Sequence, residues 1–514
     1  MNKNPPSGVV VPGPAHMSVP MKCIYIILGV WLLGCIGGCI DPARAQSTKS
    51  ALHTTVSVGG FASTGVQAPF WLMANQYGTT PSGSVANVYR FRVFMPFAPD
   101  DTSQTATKKN WGYTFALEPI LNIGSGKPQG VLPEAEFSLR YRKAILSVGR
   151  SKNPIGLQDS TLSSGSIIHG PNALPMPRLL VSTKGFSVLP FWNDMLALNG
   201  GIGMGVNNGT YIKKSYYHQK YLFLRLGRDD KAIQLYMGAH HEAIWGGQAE
   251  YLLSRPDLAK DGKLPSSLKY WNNILLGTRP RQSADLAPFD QDYRIGNHVG
   301  TYQLALSWSL PKGKWLLYHQ HPFEDVSGAA LQNLPDGLYG LSWKPRTASR
   351  LKNMVVEYLT TNSQSGSSFL KPNSIFQGND NYFNHSQYQE GWSYRGRGIG
   401  TPFILPGHQL REELVQGRPF YFPNNRVQVF YVAAEAQISS RLMLQTKVSH
   451  TRNKGTFDYP FDKVIGQTSW VVSGDALISP RQMIYAKAAL ALDRGKLLPT
   501  NTGLHISVYK TFQF

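Results

Sequence analysis

The closing stretch Gly503-Leu504-His505-Ile506-Ser507-Val508-Tyr509-Lys510-Thr511-Phe512-Gln513-Phe514 decides the fold. Leu504, Ile506, Val508, Phe512 and Phe514 share one face, and His505, Ser507, Tyr509, Thr511 and Gln513 share the other. That is the period-2 alternation of a strand with one apolar and one polar side. Only Lys510 interrupts the apolar face. A soluble sandwich can end on such a strand. Outer-membrane barrels do so habitually, with the last strand closing the cylinder and an aromatic at the membrane interface.

The preceding hairpins repeat the pattern. Gln428–Gln437 turns at Ile438-Ser439-Ser440-Arg441 into Leu442–Thr451, and Trp470–Leu477 turns at Ile478-Ser479-Pro480-Arg481 into Met483–Leu492. Both turns read Ile-Ser-x-Arg. Leu442, Leu444 and Val448 alternate with Gln445, Lys447 and Ser449, while Ile484, Ala486, Ala488, Leu490 and Leu492 alternate with Tyr485 and Lys487. Apolar residues are expected against lipid and polar ones toward a lumen. Lipid offers the backbone no hydrogen bonds, so the sheet must close on itself. Short turns on one side and long loops on the other fit the outer-membrane plan. At about 10 residues per tilted strand, the chain can supply roughly 16 to 20 strands.

Upstream, strands are expected at Thr55–Gly65, Val88–Pro96, Ala135–Tyr141 with Ala144–Gly149, and Tyr221–Gly227 with Ala232–Ala239. Others follow at Tyr302–Leu310, Trp315–His321, Leu338–Trp343 and Met354–Thr361. Gly185–Gly205 reads as a Gly-rich strand pair, Ser164–Pro177 as irregular, and Asp100–Lys109 as a loop. Ser266-Ser267-Leu268-Lys269-Tyr270-Trp271 starts a capped helix continued by Leu275 and Leu276, a short helical insert in a loop or the lumen. Gly366–Arg411 is long, polar and aromatic without a period, which marks a functional loop.

Composition agrees with a barrel. Charged residues are 16%, against about 25% in ordinary globular chains. After residue 46 no apolar run reaches the length of a membrane helix. Met21-Lys22, the apolar run Ile24 to Ile40 and Ala43-Arg44-Ala45 form a signal-peptide pattern, with removal expected before Gln46. The domains are thus 1–45, an extension plus leader, and 46–514, the barrel. Leu33-Gly34-Cys35 and Gly37-Gly38-Cys39 also resemble lipoprotein boxes. Cys23, Cys35 and Cys39 all lie within the leader, so removing it removes disulfides, thiolate zinc sites and cysteine nucleophiles together. The formal charge of +21 favours an acidic partner. The basic residues form no nucleic-acid motif, and acidic polysaccharide or lipopolysaccharide phosphate fits an exported chain better. A merely basic solvated surface remains the alternative.

Several segments together resemble the capsule-assembly Wzi family in its Bacteroidetes-type form. They are Pro69-Phe70-Trp71-Leu72 with Asn75-Gln76 and Gly78, His241-Glu242 with Trp245-Gly246-Gly247, and Glu324 to Gly328 followed by Asp336 to Gly340. Glu357-Tyr358 with Thr361 and Gln364-Ser365-Gly366, Asn381 to Asn384 with Tyr388 and Gly391-Trp392, Gly398 to Pro402, and Asn425-Arg426-Val427 complete the ordered set. The resemblance implies an eighteen-stranded outer-membrane barrel that binds capsular or exopolysaccharide and holds it at the cell surface; a monomer is the expected state. It brings no catalytic residues and no cofactor. The long N-terminal extension departs from the family.

Two groups have a sugar-binding composition. His241, Glu242 and Trp245 could stack on and hydrogen-bond a saccharide, or be a packing cluster; the spacing fails the H-E-x-x-H zinc motif because Trp245 stands where a histidine is needed. Asp380, Asn381, Tyr382, Trp392, Tyr394, Arg395 and Arg397 combine amides, carboxylate, aromatic rings and guanidinium forks suited to hydroxyls and uronates, or fold a loop into the lumen. His319 and His321 share a strand face and read as a polar lumen patch rather than a metal site, and Glu324-Asp325 could brace arginines across the barrel. No Walker loop or serine-hydrolase elbow occurs. The rival reading is a porin-like channel for acidic solutes.

Overall fold

The computed structural model describes residues 51–81, 83–97, 110–124, 126–346, 349–369 and 376–514. The expectations for residues 1–46 and for the loop Asp100–Lys109 lie outside the described residues. The remainder is a closed antiparallel barrel of 18 strands. The first nine are His53–Ser63, Val85–Met95, Trp111–Gly124, Gln129–Tyr141, Ala144–Arg150, Arg178–Thr183, Leu196–Asn207, Ser215–Leu226 and Ile233–Trp245. The other nine are Asn297–Leu310, Gly313–Phe323, Gly337–Pro345, Leu351–Thr360, Val427–Ser439, Leu442–Gly455, Pro460–Ser479, Ile484–Gly495 and Asn501–Gln513. Ser187–Val188 continues Arg178–Thr183 against the same neighbour. Each strand pairs with the next, and His53–Ser63 pairs with Asn501–Gln513 from His53↔Gln513 to Ser63↔Gly503. The stretch Gly503–Phe514 is therefore the seam of the ring, and the wall leaves no free edge.

Alternation sets the two faces. Leu504, Ile506, Leu490, Val448, Leu304 and Phe430 point outward and are exposed, while Ser507, Ser449, Ala491, Gln303 and Tyr431 on the same strands point inward and are buried. Aromatic rings band the outside at two heights. Trp308, Trp315 and Trp343 stack across neighbouring strands with centroids 5.9 and 5.7 Å apart near one rim. Tyr302 with Phe323 and Tyr339 with Tyr358 lie toward the other. Such girdles flank the apolar band of an outer-membrane barrel. Lys510, the interruption in the apolar face, lays its ammonium over the Phe512 ring at 4.8 Å.

Both Ile-Ser-x-Arg turns carry the same irregularity. The ladder skips Ile438 between Gln437 and Ser439, and skips Ile478 between Leu477 and Ser479. The sequence repeat is a repeated β-bulge that leaves each isoleucine exposed. These tight turns share a rim with Arg142-Lys143 and Pro311-Lys312. The connections 64–84, 151–177, 246–296, 324–336 and 361–426 all leave from the opposite rim. By the outer-membrane plan, the short-turn rim is periplasmic and the long-loop rim extracellular.

The lumen is filled. Segments around Phe70–Gly78, Ile155–Met176 and Tyr382–Phe422 meet inside the barrel with the inward side chains Val427, Val429, Tyr431, Ala433 and Tyr318 in one apolar core. An inner face read from sequence as polar is thus apolar where these loops dock on it. The strands that carry the plug hold its backbone. Glu357 accepts from Ser163 Oγ at 2.6 Å and Ser164 N at 2.9 Å. Gln320 accepts from Ile167 N at 3.1 Å, and Asp493 accepts from Phe70 N at 2.8 Å. A buried loop needs such partners, because each unmet amide costs about 1–3 kcal/mol.

The helical insert forms as expected. Ser267 Oγ accepts from Lys269 N at 3.4 Å, and Trp271–Leu276 ends on Gly277 in the left-handed region. Of the two places expected, loop or lumen, it takes the loop: it lies in the connection 246–296 and covers the outside of the wall. Tyr270, Ile274 and Leu286 pack on Ala243 and Trp245, whose side chains point outward. His319 and His321 are a correction. Tyr318 and Gln320 turn inward, so parity places both histidines on the outer face. His319 stacks on Tyr339 at 4.2 Å, and His321 meets the carbonyls of Asp336 and Gly328 at 3.2 Å.

Candidate functional site

The extracellular rim is where side chains are presented to solvent by loops. Two short hairpins shape it. Gly247–Gln248 pairs with Lys263–Leu264 across the loop 249–262, which ends in a tight turn through Asp261 and Gly262, φ 49° and 69°, that bridges Lys260 to Lys263. Both residues of that turn need positive φ, which the Asp-Gly pair tolerates. Ser393–Tyr394 pairs with Arg397–Gly398 through Arg395 and Gly396 at φ 49° and 81°.

The first hairpin floors a cleft of about 780 Å3 between the connections 208–214, 246–296 and 361–426. Tyr211, Lys213, Glu250, Tyr251, Leu253 and Lys263 line it, with Gln389 from the longest loop. Tyr211 is half exposed and Leu253 more so. The Tyr251 hydroxyl donates to the Gln387 carbonyl at 2.6 Å and accepts from Gln389 N at 3.1 Å, which fixes its ring. Behind it, buried Glu390 accepts from Thr210 N at 3.2 Å, and burial raises its pKa. Half-exposed tyrosines, both signs of charge and an amide form a surface suited to a hydroxyl-rich ligand.

The sequence-derived groups divide differently. His241 and Trp245 share the outer face, as expected of alternate residues, but Glu242 faces the lumen. Trp245 lies under the helical insert, and His241 Nε2 meets His298 Nδ1 at 3.0 Å. Glu242 is buried within ion-pair distance of His169 at 2.8 Å and His240 at 3.0 Å, and Gln219 donates to it. His169 belongs to the plug, so this cluster ties plug to wall. The three residues do not form one site.

In the second group, Tyr382, Trp392 and Tyr394 are buried inside the plug. Trp392 Nε1 donates to the Ile168 carbonyl at 2.8 Å, and Tyr382 OH donates to Asp336 at 3.0 Å. Asn381 accepts from Asn425 Nδ2 at 2.7 Å, and Arg397 donates to the Thr80 carbonyl at 2.9 Å. Asp380 accepts from Ser365 Oγ at 2.9 Å and Ser327 Oγ at 3.2 Å. Only Arg395, at its hairpin tip, is exposed.

A set of carboxylates lies beneath the rim. Burial, then neighbouring Asp325, pushes Asp380 up to about 7. Burial pushes Asp336 up to about 6, against hydrogen bonds from Gln364 N and Ser363 N. Burial holds Glu324 well above the usual range, although it accepts from Phe383 N at 2.9 Å. Arg294 from the adjacent loop donates to the Glu324 carbonyl, and among the described residues Glu324 and Asp325 form no ion pair across the barrel. Among the described residues no group of histidine, cysteine or carboxylate side chains has the geometry to hold a metal.

The cleft residues were not singled out from sequence. The legible signal was Asp261-Gly262, a two-residue turn between Lys260 and Lys263.

No protein-family model matches the chain. No curated protein matches it by sequence. Among solved structures it resembles Escherichia coli Wzi, described as a carbohydrate-binding β-barrel involved in group 1 capsule assembly. The TM-score is 0.54 at 14% identity, over 97% of this chain and 89% of that one. That likeness shows the outer-membrane barrel fold. Acinetobacter baumannii OccAB4 aligns at TM-score 0.44 and 10% identity, over 92% of this chain and 100% of that one. Pseudomonas aeruginosa OprD aligns at 0.43 and 8%, over 92% and 96%.

Proposed function

We propose that this barrel is a Wzi-like, non-catalytic protein of the outer membrane that binds capsular or exopolysaccharide at its extracellular rim and helps retain it on the cell. The cleft carries this reading: an open, tyrosine-lined groove with exposed charges and amides, above a lumen packed with loops. Tyrosine ring faces suit the C–H faces of sugars, while Lys213, Lys263, Glu250 and Gln389 suit hydroxyls and carboxylates. Its volume falls within the range of about 300–1,000 Å3 of ligand sites, large enough for a stretch of chain. Exposed Arg395 is a second cationic contact on the same rim. The reading includes export through a removed leader, barrel residues from 46 onward, lipopolysaccharide around the wall, and a monomer.

The test is binding of purified surface polysaccharide to the protein in detergent, with Tyr211→Ala and Lys263→Ala beside it. Binding that weakens about tenfold or more in the variants is expected, together with shed polysaccharide when the gene is deleted. Absence of binding, with retention unchanged on deletion, overturns the proposal.

A further inference from the structure

We propose that the periplasmic end of the lumen holds a separate site for a single sugar ring that bears a carboxylate. A cavity of about 330 Å3 lies there, between the lowest part of the plug and the strands from Ile233 to Pro345. Its volume is at the small end of ligand sites, about 300–1,000 Å3, and suits one ring rather than a polymer.

Three features of its lining point to that chemistry. Lys314 and Lys344 stand directly opposite each other on adjacent strands, a placement that like charges disfavour. Asp159 meets Lys344 at 3.0 Å and also accepts from Ser342 Oγ at 2.8 Å and from Leu162 N at 2.8 Å. Lys314 has no ion-pair partner among the described residues, so one positive charge at the mouth is uncompensated. Ser307 is 1% exposed and its Oγ has no hydrogen-bond partner, although it lines the cavity. A buried hydroxyl without a partner is uncommon and marks a position a ligand oxygen can fill. Finally, Tyr236 and Phe186 meet edge to face at 5.2 Å and form an aromatic wall beside Leu316.

Lys314 would take the carboxylate, Ser307 a ring hydroxyl, and the aromatic wall the C–H face. The plug separates this cavity from the extracellular cleft, so the site stands whether or not the rim binds polysaccharide.

The full chain in detergent micelles is titrated calorimetrically with sodium glucuronate, with glucose and with sodium acetate, at one ionic strength. Saturable glucuronate binding is expected, with glucose and acetate each about tenfold weaker or more. Lys314→Gln should weaken glucuronate binding about tenfold, the scale of one charged hydrogen bond. Ser307→Ala should weaken it a few-fold. Lys314 is exposed at the mouth, and the heat-dependent gel shift of the barrel checks that its variant folds. No saturable glucuronate binding, acetate bound as well as glucuronate, or full binding by folded Lys314→Gln would each overturn the site.

Discussion

The indole Nε1 of Trp392 donates to the carbonyl of Ile168 at 2.8 Å, joining two loops that are far apart in sequence inside the barrel. Around that bond the plug closes further. Thr401 N donates to the Ile167 carbonyl at 2.7 Å, Asn172 Nδ2 to the Gly398 carbonyl at 3.1 Å, and Phe403 stacks on Phe70 at 5.6 Å. The wall is closed by its own ladder, so the plug can loosen without opening the ring.

Trp392→Ala removes a fully buried ring and this bond together. A loss of about 3–5 kcal/mol is expected, the usual scale for a buried aromatic cut to alanine. It should fall on the plug. Hydrogen exchange should speed up in 164–172 and 379–405 and stay slow in the wall strands. Equal loss of protection in both would contradict a plug that is separable from the barrel.

The carboxylates beneath the rim make the loops sensitive to pH. Burial raises Asp380 to about 7 and Asp336 to about 6. A group raised in the folded state favours folding fully below its unfolded value, near 4, and that contribution is lost as pH rises through the folded value. Loop protection should therefore be higher at pH 4.5 than at pH 8. Asp380→Asn should flatten part of the difference. Protection that rises with pH would show that the carboxylates are not held in their protonated form by burial.

Orientation of the wall can be tested by charge. Leu304 lies between the aromatic bands formed by Tyr302 and Trp308, and is 52% exposed outward. Leu304→Arg should cost about 2–4 kcal/mol in liposome unfolding, the scale for a charge near the midplane of the lipid face. A change well under 1 kcal/mol would mean that this face does not meet hydrocarbon.

The C-terminal strands were legible because lipid on one side and polar lumen on the other impose a clean period. Two strands hid for physical reasons. In Trp111–Gly124, Pro119 sits at a register shift between Glu118 and Ile120 that breaks the alternation. In Arg178–Thr183, Leu179 and Val181 face out and are exposed while Leu180 faces in and is buried, so both faces look hydrophobic. The same ambiguity governs the site. Tyr382, Trp392 and Asn381 have the rings and amides that bind sugar, but equally those that satisfy a buried loop, and composition cannot separate the two. The cleft is assembled from three connections, so no single stretch of sequence announces it.

Conductance across a planar lipid bilayer tests the closed lumen most directly. With the plug packed against Tyr431, Tyr318 and Val429, the wild-type protein should insert without steady open-channel steps, and Trp392→Ala should add brief openings. Large, long-lived steps from the wild-type protein, of the size seen with porins, would contradict the account.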